Sequence, residues 1–261
     1  MKALAARRQD RRAPIVLLLL ALLLTGGLYA VLAPTSAGAA TVKADASDIA
    51  TGEKLFQANC ATCHGPSAAG TPSGPSLIGV GAAAVDFQVG TGRMPAQMSG
   101  PQLEAKPVQF DEEQISQLAA FVASLGAGPA IPTAEMVDPA LGNSANGMLL
   151  FRTNCAMCHN AVGAGGALSQ GKFAPGLWET TPTHLYEAML TGPQSMPVFN
   201  DATITPEEKR DIIAFIDEQG SVSPGGIDLG SLGPVSEGLW AWVVGLGLLI
   251  GAAVWIGAKS S

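Results

Sequence analysis

One five-residue pattern occurs twice in this 261-residue chain and consumes all four of its cysteines: Cys60-Ala-Thr-Cys63-His64 and Cys155-Ala-Met-Cys158-His159. Paired cysteines at this spacing admit two disulfides in an oxidising compartment or a thioredoxin-type redox pair. A histidine directly after the second cysteine in both copies selects a third reading, the c-type haem attachment sequence. Two thiols on one helical turn can each add to a vinyl group on one porphyrin edge. The next residue then carries its imidazole under the iron as an axial ligand. The expectation is two covalently bound haem c groups, held by Cys60 and Cys63 and by Cys155 and Cys158, with His64 and His159 as iron ligands. A single zinc site built from both segments is the main rival. It would have to unite motifs that lie 95 residues apart, each inside its own copy of a repeated pattern.

The surrounding sequence repeats as well, which bears on the fold before any helix is drawn. Gly52, Phe56, Asn59 and Cys60 match Gly147, Phe151, Asn154 and Cys155 at an offset of 95. Pro75 and Leu77 match Pro175 and Leu177, and Thr91-Gly92 matches Thr191-Gly192, at an offset of 100. Met94-Pro95 matches Met196-Pro197 at 102, and Ala120-Phe121 matches Ala214-Phe215 at 94. A drifting offset means loop insertions in a duplicated domain. The two copies span 46–126 and 144–220, with a linker rich in Gly and Pro over 127–143. Domains of this size are short of apolar core, and a buried haem would add apolar mass.

Each copy reads as mostly α. A helix is predicted from Asp48 to Cys60, and another, capped by Asn143 or Ser144, through Phe151. Asp111 with Gln114 forms a capping box, flanked by a staple of Phe110 and Ile115. Thr205-Pro206-Glu207-Glu208 supplies a cap, a proline at the first helical position and a box glutamate. Behind these caps Ile115, Leu118 and Phe121, and likewise Ile212, Phe215 and Ile216, recur at helical spacing. No alternating strand pattern of useful length is present.

An iron that relays electrons needs a ligand on its other face, and a thioether raises the potential by stabilising the ferrous state. Met94 and Met196 are the candidates because the repeat makes them equivalent; Met98 and Met189 are the nearest alternatives. Pro75 and Pro175 are positioned to offer a backbone carbonyl to the other nitrogen of each imidazole. Met157 reads as a pocket-wall residue. His184 has Ala84 as its counterpart, so it belongs to no duplicated site and reads as a surface or helix-start histidine.

Two uncharged apolar runs, from Pro14 to Ala33 and from Gly238 to Gly257, are each long enough to cross a bilayer as a helix. Lys2, Arg7, Arg8, Arg11 and Arg12 precede the first run and hold that end in the cytoplasm by the positive-inside rule. The first run is a retained anchor or a signal peptide cleaved near Ala37-Gly38-Ala39. Segment 1–35 is therefore a basic tail plus anchor or signal peptide, 221–237 a Gly-rich tether, and 238–257 a membrane helix flanked by Trp240, Trp242 and Trp255. On this reading the middle of the chain lies outside the cytoplasm, attached to the cell membrane by one or two spans. Its region 36–237 holds 20 acidic and 8 basic residues, about 12 units negative. That balance excludes nucleic acid as a partner and suits a partner with a basic face.

With Gly-x-x-x-Phe, Cys-x-x-Cys-His, Pro-x-Leu, Met-Pro and a terminal helix bearing an aromatic residue, each copy resembles a class I cytochrome c domain. The order of the whole chain, with Thr191-Gly-Pro-Gln-Ser-Met-Pro197, the run Thr205 to Asp211, and Val254-Trp-Ile-Gly257, is similar to the dihaem cytochrome c subunits of actinobacterial cytochrome bc complexes. The resemblance implies tandem cytochrome c domains with transmembrane helix anchors, in a menaquinol-oxidising complex with cytochrome b and a Rieske iron–sulfur protein. It also implies that electrons pass from the Rieske centre to a cytochrome oxidase held in a supercomplex. The residues alone leave open a dihaem peroxidase, or a cytochrome of another oxidase or dehydrogenase.

Overall fold

The computed structural model describes residues 13–32, 45–98, 100, 102–221 and 234–258. The basic N-terminal residues, Ala37-Gly38-Ala39 and most of the Gly-rich tether lie outside them. The chain divides into a unit of residues 1–39 and a unit of residues 40–261. In the first unit, α1 (Ala13–Leu32) is an apolar helix whose leucines from Leu17 to Leu28 are exposed.

In the second unit the first repeat is built from α2 (Ala46–Asn59), α3 (Ala61–His64), α4 (Ala82–Gly90) and α5 (Glu112–Ser124). After a short α6 (Ala134–Val137), the second repeat is built from α7 (Ser144–Asn154), α8 (Ala156–His159), α9 (Pro182–Thr191) and α10 (Pro206–Ser221). Helix α11 (Pro234–Ala258) follows. Its segment Gly238–Ala258 is apolar and unburied. At 1.5 Å per residue it rises about 32 Å, enough to cross a bilayer core of about 30 Å. The only sheet among the described residues pairs β1 (Gly166–Ala167) antiparallel with β2 (Phe173–Ala174), in the register Gly166 to Ala174 and Ala167 to Phe173. In the first repeat a single bridge between Thr71 and Gly74 lies in the corresponding stretch.

The same packing joins the first and last helices of each repeat. A Cβ on Gly52 would lie 1.9 Å from the Gln117 carbonyl oxygen, and one on Gly147 would lie 1.9 Å from the Asp211 carbonyl oxygen. Only hydrogen fits at either crossing. One turn on, Phe56 meets Phe121 with ring centroids 5.2 Å apart and Phe151 meets Phe215 at 5.3 Å. Around these pairs two separate cores form, one with Val85, Ile115, Leu118 and Val122, the other with Leu185, Tyr186, Ile212 and Ile216. The caps that start the last helices are in place. Asp111 Oδ1 accepts from the Gln114 N–H at 2.9 Å, and Gln114 Oε1 accepts from the Asp111 N–H at 3.2 Å. Glu208 Oε2 accepts from the Thr205 N–H at 2.8 Å, and at the start of the first helix of the second repeat, α7, Asn143 Oδ1 accepts from the Asn146 N–H at 3.2 Å.

The segment between the repeats is packed. The Ala83 N–H donates to the Pro129 carbonyl at 3.1 Å, and Val137 is buried in the second core. The repeats themselves dock through α4 against α9 and through two side-chain amides. Gln102 bonds both backbone groups of Phe173 at 2.7 and 2.8 Å, and Gln194 bonds both backbone groups of Leu103 at 2.8 Å.

Gly147→Ala is expected to destabilise the second repeat by about 3 kcal/mol, lowering its melting temperature by roughly 10–20 °C. Gly251→Ala, on α11 with nothing near the added carbon, leaves that melting unchanged in a calorimetric scan. Gln194→Ala removes the acceptor of the Leu103 N–H, so deuterium exchange at Leu103 accelerates while exchange inside α5 does not.

Candidate functional site

Each Cys-x-x-Cys-His segment forms one helical turn directly after the first helix of its repeat. Cys60 and Cys155 stand at the joints, where their N–H groups donate to the carbonyls of Phe56 and Phe151 at 2.8 Å. The N–H groups of His64 and His159 donate back to Cys60 and Cys155 at 3.0 and 2.9 Å. Packing of Phe56 and Phe151 therefore positions the turn that carries both thiols and the imidazole.

His64 Nδ1 donates to the Pro75 carbonyl at 2.7 Å, and His159 Nδ1 donates to the Pro175 carbonyl at 3.0 Å. A carbonyl only accepts, so Nδ1 carries the hydrogen and Nε2 keeps its lone pair, the tautomer that binds a metal. Burial holds the His159 imidazole below its ordinary 6.5, against the opposing effect of its bond to Pro175.

The loops that deliver these carbonyls have matching conformations. The His64 carbonyl accepts from the Gly70 N–H at 2.8 Å, and that of His159 accepts from the Gly165 N–H at 2.9 Å. Leu77 donates to Ala68 at 2.8 Å and Leu177 to Gly163 at 2.9 Å. Gly70 and Gly165 adopt φ of 90° and 85°. An added Cβ would lie 2.6 Å from the Ser76 nitrogen in one and 2.7 Å from the Ala174 carbonyl oxygen in the other. These two glycines hold the imidazole's carbonyl partner in place. They fall at the same 95-residue offset as the cysteines, a signal readable in the chain.

None of the four cysteines pairs in a disulfide, and Cys63 is exposed while Cys155 is buried. Burial, reinforced by the neighbouring cysteine, pushes the Cys60 and Cys155 thiols up to about 11. Among the described residues the two motifs form no joint metal-ligating cluster, which removes the single-zinc arrangement.

Met94 is half-buried against the first core and Met196 against the second. Each follows the Thr-Gly pair that ends a helix: Gly92 at φ 70° after α4, Gly192 at φ 57° after α9. The alternatives are placed differently. Met98 is 79% exposed, and Met189 is buried among apolar side chains on α9. Met157 is 94% exposed, without protein packing around it.

His184 lies at the start of its helix, one of the two positions expected of it, but not at the surface. Thr181 caps its N–H at 3.3 Å, but its ring lies between the repeats with Nε2 3.7 Å from Asp86 Oδ2.

Each repeat thus presents two cysteine sulfurs outside any disulfide, an imidazole with an uncommitted Nε2, and a half-buried thioether on the following loop. That donor set fits haem c: sulfur for two vinyl additions, nitrogen and thioether sulfur for iron.

Comparison with known proteins agrees with the repeat. Residues 49–126 match the family described as cytochrome c. Residues 142–216 match the family described as cytochrome c oxidase, cbb3-type, subunit III. Over nearly its whole length the chain is similar to proteins named cytochrome bc1 complex cytochrome c subunit. The one from Mycobacterium bovis is 46% identical over 252 residues, covering 94% of this chain and 90% of the relative. That of Mycobacterium leprae is 44% identical over 255 residues, with 94% and 87% covered. That of Corynebacterium efficiens is 43% identical over 277 residues, with 99% and 94% covered.

Gly165→Ala and Gly171→Ala separate crowding from backbone conformation, because both glycines have positive φ but Gly171 has no atom near the added carbon. Gly171→Ala is expected to cost about 1–2 kcal/mol for the left-handed conformation alone. Gly165→Ala costs at least about 1 kcal/mol more, since the Pro175 loop must shift. Thermal unfolding of the haem-loaded protein measures both.

Proposed function

The chain belongs to the family of cytochrome bc1 complex cytochrome c subunits, and on that premise we propose that it is a membrane-anchored dihaem electron relay. The observation that supports this reading best is the occurrence, once in each repeat, of a histidine whose Nδ1 is committed to a proline carbonyl and whose Nε2 is not. On this proposal Cys60 and Cys63 tether one haem and Cys155 and Cys158 the other. His64 with Met94, and His159 with Met196, supply the axial ligands. Pro75 and Pro175 fix the imidazole orientation through their carbonyls. Haem c, when bound, supplies a one-electron ferric–ferrous couple.

The protein's part is to hold that couple with little rearrangement. The glycine-crossed helices and the paired phenylalanines fix the attachment turns. The hydrogen bonds of Gly70 and Gly165 hold the loops that reach the imidazoles. Two protein ligands leave no open position for peroxide or oxygen, which favours a relay over a dihaem peroxidase. The match to an oxidase subunit covers residues 142–216 only, whereas the bc1 relatives cover almost all of the chain. That difference favours a place in a quinol-oxidising complex with cytochrome b and a Rieske protein, from which electrons pass to a terminal oxidase.

The proposed domains are 46–126 and 144–220, joined by 127–143. Both lie on the extracytoplasmic side, tied to the membrane by 238–257 and, unless it is cleaved, by the segment within 1–35. The basic N-terminus and the tryptophans of the second run support this topology. The acidic excess of the central region supports docking to a basic partner face.

Replacing Met94 or Met196 with Ala is expected to turn one of two low-spin haems high-spin, seen in the ferrous spectrum and as carbon monoxide binding. An unchanged spectrum contradicts that ligand assignment. Purification of the tagged protein in mild detergent is expected to bring along b-type haem and a Rieske centre. Their absence, with copper subunits present instead, favours an oxidase cytochrome.

A further inference from the structure

A third cluster of chemically active side chains lies where the two repeats meet. Asp86 projects from α4, and His184 and Glu187 project from one face of α9. One donor atom from each of the three lies within 4.8 Å of the other two, and His184 Nε2 stands 3.7 Å from Asp86 Oδ2. Glu187 is fully buried, no protein donor reaches either of its carboxylate oxygens, and the group it faces is the Asp86 carboxylate. An ionised carboxylate buried there would be costly, so without a cation Glu187 keeps its proton beside Asp86.

None of the three repeats. At the 100-residue offset, Asp86 aligns with Tyr186, His184 with Ala84 and Glu187 with Phe87. The cluster is therefore no part of the duplicated haem machinery and exists only because the repeats dock. On the imidazole side the packing is close and tolerates no side chain at residue 90. A Cβ on Gly90 would come within 2.9 Å of His184 Nε2. Phe87 meets the imidazole edge-on at 6.0 Å. Arg93, the nearby cation, stacks over Phe87 at 5.0 Å.

We propose that Asp86, His184 and Glu187 form a divalent transition-metal site, with Zn²⁺ as its best-suited ion, that bridges the two repeats. One imidazole and two carboxylates with a water in the fourth position is a zinc donor set. Calcium and magnesium prefer oxygen ligands throughout. Ligands about 2.0–2.2 Å from a tetrahedral ion stand about 3.4 Å apart. The His184–Asp86 separation is close to that already, and small side-chain rotations close the rest. The ion would neutralise both carboxylates and tie α4 to α9.

Proton competition gives the site a signature. Burial first, then the charge of the Asp86 carboxylate and a hydrogen bond to it, pushes Glu187 up to about 10. Burial lowers His184 from its ordinary 6.5, opposed by Asp86 and aided by Arg93. At pH 7 the imidazole is thus neutral while Glu187 holds a proton that the metal must displace. Affinity therefore rises with pH, about tenfold per unit while Glu187 remains the group displaced.

Equilibrium dialysis of the chelator-treated, haem-loaded full chain against ZnCl₂, with the metal counted by mass spectrometry, tests this. Expected are one bound zinc per chain, an affinity about tenfold tighter at pH 8 than at pH 7, and no displacement by excess calcium. Glu187→Gln, isosteric with the protonated side chain, and His184→Ala each weaken binding at least 100-fold without altering the haem spectrum. X-ray absorption at the zinc edge of the unsubstituted protein shows nitrogen and oxygen neighbours only. Failure to bind zinc at micromolar concentration, binding unchanged in both variants, or sulfur in the zinc shell overturns the proposal. None of these outcomes bears on the haem assignments.

Discussion

The close crossing of the first and last helix in each repeat is the contact on which the rest depends. A glycine at the crossing lets backbone touch backbone, and the phenylalanine one turn later then reaches its partner on the opposite helix. That phenylalanine also accepts the N–H of the first motif cysteine. The helix crossing and the attachment turn are thus one mechanical unit. Any change that separates the helices also moves the thiols and the imidazole. A domain of about 80 residues has little apolar area to spare, so this short path from crossing to turn matters more than it would in a large enzyme.

Duplication explains most of the architecture but not the junction. Within each repeat the loop after the histidine, the carbonyl facing Nδ1 and the Thr-Gly helix end recur with nearly the same backbone. Between the repeats the contacts are asymmetric: Gln102 on Phe173, Gln194 on Leu103, and Asp86 against His184 and Glu187. An asymmetric junction fixes one relative placement of two otherwise similar domains. On the proposed dihaem reading, that holds the two redox groups at a constant separation.

Local rules made the helix starts legible in the chain. Asp111 with Gln114 and Thr205 with Glu208 are caps whose partners lie three residues apart, so spacing alone reveals them. The tandem organisation was legible because the repeat is long and its matches fall in order. The roles of Gly52 and Gly147 were not, since a helical glycine looks the same whether it faces solvent or a carbonyl oxygen. Residues 127–143 read as a linker on Gly and Pro content, which does not distinguish a loose tether from a strap whose Pro129 carbonyl is bonded and whose Val137 is buried. His184 read as a surface or helix-start histidine; its helix start was legible, but its contact with Asp86, 98 positions away and in no repeated pattern, was not. The site residues are legible in proportion to their repetition, and chemistry that arises from docking leaves no periodic trace.

Near-infrared magnetic circular dichroism of the ferric protein, normalised to its iron content, addresses the central claim most directly. Two irons per chain are expected, each giving the charge-transfer signature of histidine–methionine ligation. A single iron, or a second haem with bis-histidine or high-spin character, would contradict it.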